Sequence, residues 1–176
     1  MKRLQKLAIL LDLGDAMKNQ GSWCGETHYQ KAAYFLQELL KVPLDYEFVL
    51  YKHGPFSFDL RDELTALRAY GLVKQEFASH KYRPKLLPSE NSANFREKFP
   101  KTRSETEGKI SFVANKLRDR GVYELEKLAT ALYVTLSSED ASIQQRANAI
   151  CKVKPHIPSN EALAAIEELD GIRAEL

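Results

Sequence analysis

Residues 50–87 have the sequence LYKHGPFSFDLRDELTALRAYGLVKQEFASHKYRPKLL, and the elements they predict decide the fold of the N-terminal half. Ser57 is a typical N-cap residue and predicts a helix that reaches about Tyr70. The apolar face of this helix carries three leucines at helical spacing, Leu60, Leu64 and Leu67. Gly71 follows, which is typical of the left-handed residue that ends a helix. Two strands, over 72–77 and 82–87, are predicted next, joined by an exposed loop at 78–81.

Upstream of this stretch the pattern predicts two helices and a strand. The helices span about 3–18 and 27–41, and the strand covers 46–51, followed by a turn at 53–55. On the second helix, a polar face directed to solvent is expected to carry Gln30, Lys31, Gln37, Glu38 and Lys41. The order helix, helix, strand, helix, strand, loop, strand is typical of a winged helix-turn-helix. A winged-helix part with a small β-sheet is therefore predicted over 1–88.

The C-terminal half predicts helices only. Residues 89–103 form a polar connector that we expect to dock through Phe95 and Phe99. A capping box at 104–107 predicts the next helix, and further helices begin near Tyr123, after an N-cap at Ser138, and at Ser159. The helical part is thus 104–176, packed on or extending the first part. The fold class expected is mainly α, formally α+β.

Composition places the chain among ordinary globular proteins. It has 176 residues, of which 44% are hydrophobic and 28% charged, and its formal net charge is only +2. This balance excludes a heavily basic nucleic-acid coat. No apolar run approaches the length of about 18 residues that a membrane helix needs. With two cysteines, a disulfide scaffold is not expected, so a soluble protein of the reducing cytoplasm is predicted, without a membrane partner.

Motifs that would identify an enzyme are missing from the sequence. There is no phosphate-binding glycine loop and no nucleophile elbow. Cys24 with His28 and Cys151 with His156 formally supply a Cys2His2 set, but zinc ligands usually occur as pairs two to four residues apart, and these halves are distant. The sequence therefore predicts no catalytic residues, no metal and no cofactor.

Several motifs resemble one bacterial family. SWCGETH at 22–28, QK at 30–31, YFLQ at 34–37, LYKHGPFSFDLRDEL at 50–64, LEKLAT at 125–130 with Tyr133, and KPH at 154–156 are similar to the YwgA-like family. More remotely, a lysine-aromatic helix followed by a His-Gly-Pro turn resembles the Panacea or SocA-type antitoxin domain. The YwgA-like resemblance implies a small bacterial protein with a winged-helix core and no established catalytic role. The remote antitoxin resemblance implies a protein that binds and neutralises, or presents, another protein. It leaves seven motif residues without a role: Trp23, Cys24, Glu26, His28, Lys31, Tyr51 and His53.

Three hypotheses for function follow. The leading one is a non-enzymatic, antitoxin-like or adaptor-like protein that binds a protein partner through Asp59, Arg61, Asp62 and Glu63. The alternative is a winged-helix DNA-binding regulator that uses the wing and connector, whose basic residues are Lys81, Arg83, Lys85, Arg96, Lys98, Lys101 and Arg103. In that case the acids of the third helix would keep it from reading bases. The third hypothesis is an enzyme or small-ligand binder around Cys24, Glu26, His28 and Tyr51.

Overall fold

The computed structural model describes residues 1–77, 84–138 and 140–176, which are mainly helical with two small antiparallel sheets. The helices of the described ranges are α1 (Arg3–Asn19), α2 (Glu26–Tyr34), α3 (Phe58–Ala69), α4 (Ser92–Arg96), α5 (Pro100–Leu117), α6 (Val122–Ser137), α7 (Ile143–Val153) and α8 (Ser159–Arg173). The strands are β1 (Val49–Tyr51), β2 (Gly54–Phe56), β3 (Val73–Glu76) and β4 (Lys85–Pro88). An α+β, mainly helical class is thus confirmed.

Helix α1 lies at the centre of the N-terminal half. Every residue from Leu7 to Leu11 is fully buried, and so is Leu13. Helix α5 packs along α1, while α2, α4 and β4 contact its other sides. A helix that is apolar on most sides is stable only when neighbours surround it. The core therefore forms around α1 and extends through α6 to α7 and α8.

The stretch that begins at Ser57 folds as predicted. The Ser57 hydroxyl accepts a hydrogen bond from the Leu60 N–H at 3.3 Å, which caps α3. Gly71 ends the helix with a φ of +68°. Strands β3 and β4 then pair antiparallel, with Val73 opposite Pro88. The predicted loop at 78–81 lies outside the described residues.

The region before α3 differs from the prediction. A turn was predicted at residues 53–55. Instead, residues 54–56 form strand β2, which pairs antiparallel with β1. The strand predicted from residue 46 begins only at Val49. Gly54 has a φ of +81°, which allows the chain to reverse within two residues, and Pro55 needs no ladder N–H because the sheet has only two strands. The β1–β2 hairpin and the β3–β4 sheet are separate.

Two predicted helix starts are wrong. Helix α5 begins at Pro100, at the first helical position that proline favours, rather than at the capping box of Ser104. Because the connector contains α4 and the start of α5, the rings of Phe95 and Phe99 pack against each other at 5.4 Å. Helix α7 is capped by Ser142, whose hydroxyl accepts from the Gln145 N–H at 3.2 Å, and not by Ser138.

The polar face of α2 is not directed to solvent as predicted. Gln30 is 0% exposed and Lys31 is 1% exposed, because α3, β2 and α6 pack over this side of the helix. The Gln30 amide is satisfied by the main chain of Ser57, donating to its carbonyl and accepting from its N–H, each at 2.8 Å. The helix continues beyond Tyr34 as a π-helical turn over Phe35–Leu39. Polar side chains of α2 thus position the start of α3.

Candidate functional site

Two buried lysines hold the β1–β2 hairpin in place. The ammonium group of Lys31, on α2, donates to the Pro55 carbonyl at 2.7 Å. Lys154, which follows α7, donates to the carbonyls of Tyr51 and Lys52 at 2.5 and 2.8 Å. Buried ammonium groups require such partners, because an unpaired charge in the interior is costly. These bonds tie the main chain of the hairpin to helices from both halves of the sequence.

Glu126, on α6, supplies the negative charge beside these lysines and is 2% exposed. Its Oε1 lies 3.1 Å from Lys154 Nζ and 3.3 Å from His156 Nε2, and its Oε2 lies 3.6 Å from His53 Nδ1. Burial lowers the pKa of Lys31 to about 7, while attraction to Glu126 opposes that change. We refer to Lys31, Glu126 and Lys154 as the buried charge cluster.

The buried charge cluster joins motifs that are far apart in the sequence. Lys31, Tyr51 and His53 were motif residues without a predicted role, and the structure brings all three to the hairpin and its supports. Sequence reasoning assigned no role to Glu126, Lys154 or His156. One signal was available for Glu126: small and apolar residues occupy most sides of α6, so its carboxylate has little access to solvent.

Three aromatic rings cover the outer side of the hairpin and the start of α3. The ring centres of Tyr51, Phe56 and Phe58 lie 5.2 to 5.8 Å from one another. Tyr51 is 55% exposed and Phe58 is 45% exposed, whereas Phe56 is partly buried. Ring pairs at this spacing stabilise each other. We refer to these three residues as the aromatic surface.

The four predicted partner-binding residues lie in the first two turns of α3. The Arg61 guanidinium stands 5.1 Å from the centre of the Phe58 ring and 3.6 Å from the Asp62 carboxylate. Asp59 and Asp62 are exposed. Glu63 is engaged elsewhere, since both of its oxygens accept from Arg3 at 2.8 Å. The structure therefore places two exposed acids and one arginine beside the aromatic surface.

The basic residues predicted for nucleic-acid binding do not form one described surface. Lys81 and Arg83 lie outside the described residues. Arg96 contacts Asp12 and Asp15, and Arg103 donates to Asp12 at 2.9 Å, so both guanidinium groups are paired within the fold. Two further lysines of the connector, Lys98 and Lys101, are exposed.

A second group of motif residues lines a cavity of about 550 Å³ between the start of α2 and the start of α6. Trp23, Glu26 and His28 line it, and Lys85 Nζ stands 4.5 Å from the centre of a Trp23 ring. The Nε2–H of His28 donates to the Arg120 carbonyl at 3.2 Å. Burial lowers the pKa of His28, although this hydrogen bond acts in the opposite direction. His28 is therefore neutral near pH 7.

Cys24 lies beside this cavity but not on its wall. Its side chain is fully buried, its φ is +55°, and its carbonyl accepts from the Leu86 N–H at 2.8 Å. Burial raises the pKa of this thiol to about 11, which keeps it protonated. The buried position does not give Cys24 the thiolate character that a nucleophile needs. Cys151, on α7, is a second free thiol and is partly exposed.

Comparisons with known proteins identify no family for this chain. No protein-family model matches it, and a search of curated proteins finds no significant match. Over residues 1–77, 84–138 and 140–176, no three His, Cys, Asp or Glu side chains are grouped to hold a metal ion. None of the helices in these ranges has the length and apolar character needed to cross a membrane.

Proposed function

We propose that this chain is a non-enzymatic interaction protein that binds a partner protein through the aromatic surface. The observation that carries the proposal is the exposure of Tyr51 and Phe58, by 55% and 45%, within a cluster of three mutually packed rings. Tyrosine and arginine are enriched at the centres of protein interfaces, and contiguous exposed apolar patches mark such sites. Arg61, stacked on Phe58, adds a further residue of that kind.

The support beneath the aromatic surface favours binding. Lys31 and Lys154 fix three hairpin carbonyls, and Gln30 fixes Ser57, so the rings stand on a main chain anchored at four points. A surface that is ordered before binding loses less conformational entropy in the complex. This anchoring gives the buried charge cluster a positioning role in the proposed function.

The charges that border the aromatic surface specify the partner. Asp59 and Asp62 are exposed, and the Asp62 carboxylate lies 3.6 Å from the Arg61 guanidinium. A partner segment with lysine or arginine beside apolar side chains would complement this edge, since rim charges guide association. The proposed partner is therefore a protein with a basic, apolar segment.

We also propose, as part of this function, a relationship to the families named above and a winged-helix fold for the N-terminal part. The resemblance to the YwgA-like family, and more remotely to the Panacea or SocA-type antitoxin domain, is compatible with a protein that binds a protein. The order α1, α2, α3, β3, β4 supports the winged-helix interpretation, in which the β1–β2 hairpin is an addition between α2 and α3. The DNA-binding alternative has less support, because Arg96 and Arg103 are paired with Asp12.

A comparison of variants in a capture experiment tests the proposed function. The protein is immobilised, exposed to extract of its native host, and the captured proteins are quantified by mass spectrometry. We expect one partner to bind the wild type and to be lost with Tyr51→Ala plus Phe58→Ala. The matched control is Phe77→Ala, which removes an aromatic ring that is 71% exposed and is not one of the three rings of the aromatic surface.

The Kd of each variant for the purified partner is then measured to test the proposal quantitatively. Loss of an interface hot spot costs about 2 kcal/mol or more, which is roughly a 30-fold weaker Kd. Asp59→Asn with Asp62→Asn should slow association and reduce its salt dependence. An unchanged Kd in the double aromatic variant, with its urea midpoint also unchanged, would refute the proposal. So would a partner that binds through an acidic segment.

A further inference from the structure

Strand β1 forms one edge of a sheet that has only two strands. The β2 side of this sheet is covered, because α2 and α6 pack against β2 and Lys31 donates to the Pro55 carbonyl. Within the described ranges, β1 pairs with β2 and with no further strand. The outer edge of a strand presents N–H and C=O groups that can pair with another chain.

Pro55 determines which main-chain groups of β1 point to this edge. Opposite residues of an antiparallel pair alternate between those that exchange two hydrogen bonds and those that exchange none. Because Pro55 has no N–H, it cannot exchange two bonds with Leu50, the residue opposite to it. The bonds of the ladder therefore join Val49 to Phe56 and Tyr51 to Gly54. The N–H and C=O of Leu50 point away from β2, and among the described residues they bond no main-chain group of a loop or helix.

Side chains on the outer face of the hairpin continue the aromatic surface to this edge. Val49 lies opposite Phe56, and Tyr51 is two residues from Val49, so all three share one face. Val49 is 40% exposed and Tyr51 is 55% exposed. A strand added beside β1 would place every second side chain next to Val49 and Tyr51. Apolar side chains at these positions would form stabilising cross-strand pairs.

Acidic side chains lie near the end of β1 that is distant from the turn. A cavity of about 330 Å³ is lined by Asp45 and Tyr46, which precede β1, and by three acids of α3, Asp59, Asp62 and Glu63. The two basic side chains of this wall are already paired, Arg3 with Glu63 at 2.8 Å and Lys6 with Asp45 at 3.3 Å. Excess negative charge therefore remains where an added strand would begin or end. A basic side chain at that end would complement it.

We propose that the partner protein binds as an added β-strand along the free edge of β1. One extended segment of the partner pairs its main chain with the N–H and C=O of Leu50. Its alternate apolar side chains pack on Val49 and Tyr51, and a lysine or arginine at one end reaches the acids of α3. Main-chain bonds of this kind supply affinity, while alternate side chains supply specificity. This inference rests on the proposed function and specifies the conformation of the partner segment.

Calorimetry with a synthetic peptide tests strand addition. The probe is the peptide KVTYTVK with blocked ends, whose valines and threonines favour an extended chain and whose terminal lysines suit either strand direction. We expect a Kd below about 1 mM. In a β-strand, the N–H groups that face one neighbour belong to alternate residues. Methylation of the main-chain nitrogen at both threonines, or at both valines, should therefore differ in effect: one peptide loses at least about tenfold in affinity, and the other stays within about twofold.

Two outcomes with these peptides contradict the proposal. Equal affinity of the two methylated peptides would show that no edge is paired, and absence of binding by KVTYTVK would show that β1 does not accept a strand. The peptide EVTYTVE should bind at least about fivefold more weakly than KVTYTVK at low ionic strength, because its ends repel the acids of α3. Equal binding of these two peptides would refute the proposed basic end.

Amide hydrogen exchange measured by NMR locates the bound peptide. Saturating KVTYTVK should slow exchange of the Leu50 N–H at least about tenfold, whereas the Tyr51 N–H, already bonded within the hairpin, should change by less than about twofold. Leu50→Pro removes the outward N–H but no ladder bond, so it should abolish peptide binding, and Leu50→Val should retain it. Unchanged exchange at Leu50 in the wild type would overturn the proposal, whether or not Leu50→Pro folds.

The same variants separate this inference from the proposed function. If Tyr51→Ala plus Phe58→Ala loses the purified partner but folded Leu50→Pro binds it with the wild-type Kd, the aromatic surface binds the partner and strand addition is wrong. If the double aromatic variant keeps the partner while KVTYTVK still protects Leu50, the proposed function is wrong and the edge binds a different segment. Sedimentation that shows a dimer dissociated by Leu50→Pro would identify a second copy of this chain as the occupant and overturn the assignment to a partner protein.

Discussion

Replacement of Lys31 by methionine should change how stability depends on pH. Below pH 7 the folded and unfolded states both hold the Lys31 proton. Above pH 7 the folded state releases it, since burial lowers the pKa to about 7, while the unfolded chain keeps the ordinary pKa of 10.5. Stability of the wild type therefore rises with pH in this window, because the unfolded state binds more protons.

The magnitude follows from the same two pKa values. Each pH unit above 7 contributes about 1.4 kcal/mol, so between pH 6 and pH 9 the wild type gains about 3 kcal/mol relative to Lys31→Met. Up to pH 9 the buried tyrosines Tyr34 and Tyr46, whose pKa values burial raises, stay protonated in the folded state. Ionisation of Cys24 in the unfolded chain, where its ordinary pKa is 9.0, is common to both proteins and cancels in the difference.

Urea denaturation at four or more pH values provides the assay. Urea is preferred to guanidinium chloride because it does not screen charge, and the difference between the two unfolding free energies is plotted against pH. Lys101→Met, whose lysine side chain is 89% exposed, is the control and should follow the wild type at every pH. Parallel curves for wild type and Lys31→Met from pH 6 to pH 9 would refute the reasoning that Lys31 is a desolvated base.

Three further predictions concern glycines and thiols. Gly71→Val should lower the free energy of unfolding by more than about 1 kcal/mol, because Gly71 has a φ of +68° that a β-branched residue adopts poorly. Gly14→Ala should cost about 2 to 3 kcal/mol, since the new Cβ would stand 2.1 Å from the Tyr29 hydroxyl and break its bond to a buried carbonyl. At pH 8, Cys24 should react with Ellman's reagent at least about tenfold more slowly than Cys151, because Cys24 is buried and its pKa is raised to about 11.

One control variant serves both glycine predictions. Gly171→Ala lies within α8, where the new Cβ would meet no described atom within 4 Å outside its chain neighbours and the backbone of its own helix. This change should stabilise the protein by about 0.5 to 1 kcal/mol. A urea midpoint of Gly71→Val equal to that of the wild type would show that Gly71 has no capping role. If Gly14→Ala has the same free energy of unfolding as the wild type, the Tyr29 side chain can move away from the new methyl group without loss of stability. For the thiol prediction, the Cys24→Ser variant shows which of the two reaction phases belongs to Cys24, because that phase is lost. Equal reaction rates of Cys24 and Cys151 with Ellman's reagent would contradict the buried position of Cys24.

The sequence alone determined the elements whose signals are local. Helix α3 begins after Ser57 and ends before Gly71, because a hydroxyl that caps the first turn and a residue that tolerates positive φ act within a few residues. The apolar repeat predicted most other helices for the same reason, and the β3–β4 pair was predicted from two short stretches on either side of an exposed loop. Where two signals competed, as at Ser104 and Pro100 or at Ser138 and Ser142, sequence reasoning chose wrongly, because either residue suits a helix start.

Tertiary structure alone decided which polar residues are buried and what they contact. Lys31 had the pattern of a solvent-facing residue, yet β2 and α6 cover it. Its partners lie at Pro55 and near Glu126, 24 and 95 positions away, and Lys154 bonds Tyr51 from 103 positions away. No local periodicity contains such pairings, since they depend on how helices pack. The β1–β2 hairpin, the aromatic surface it supports and the cavity beside His28 all arise from that packing.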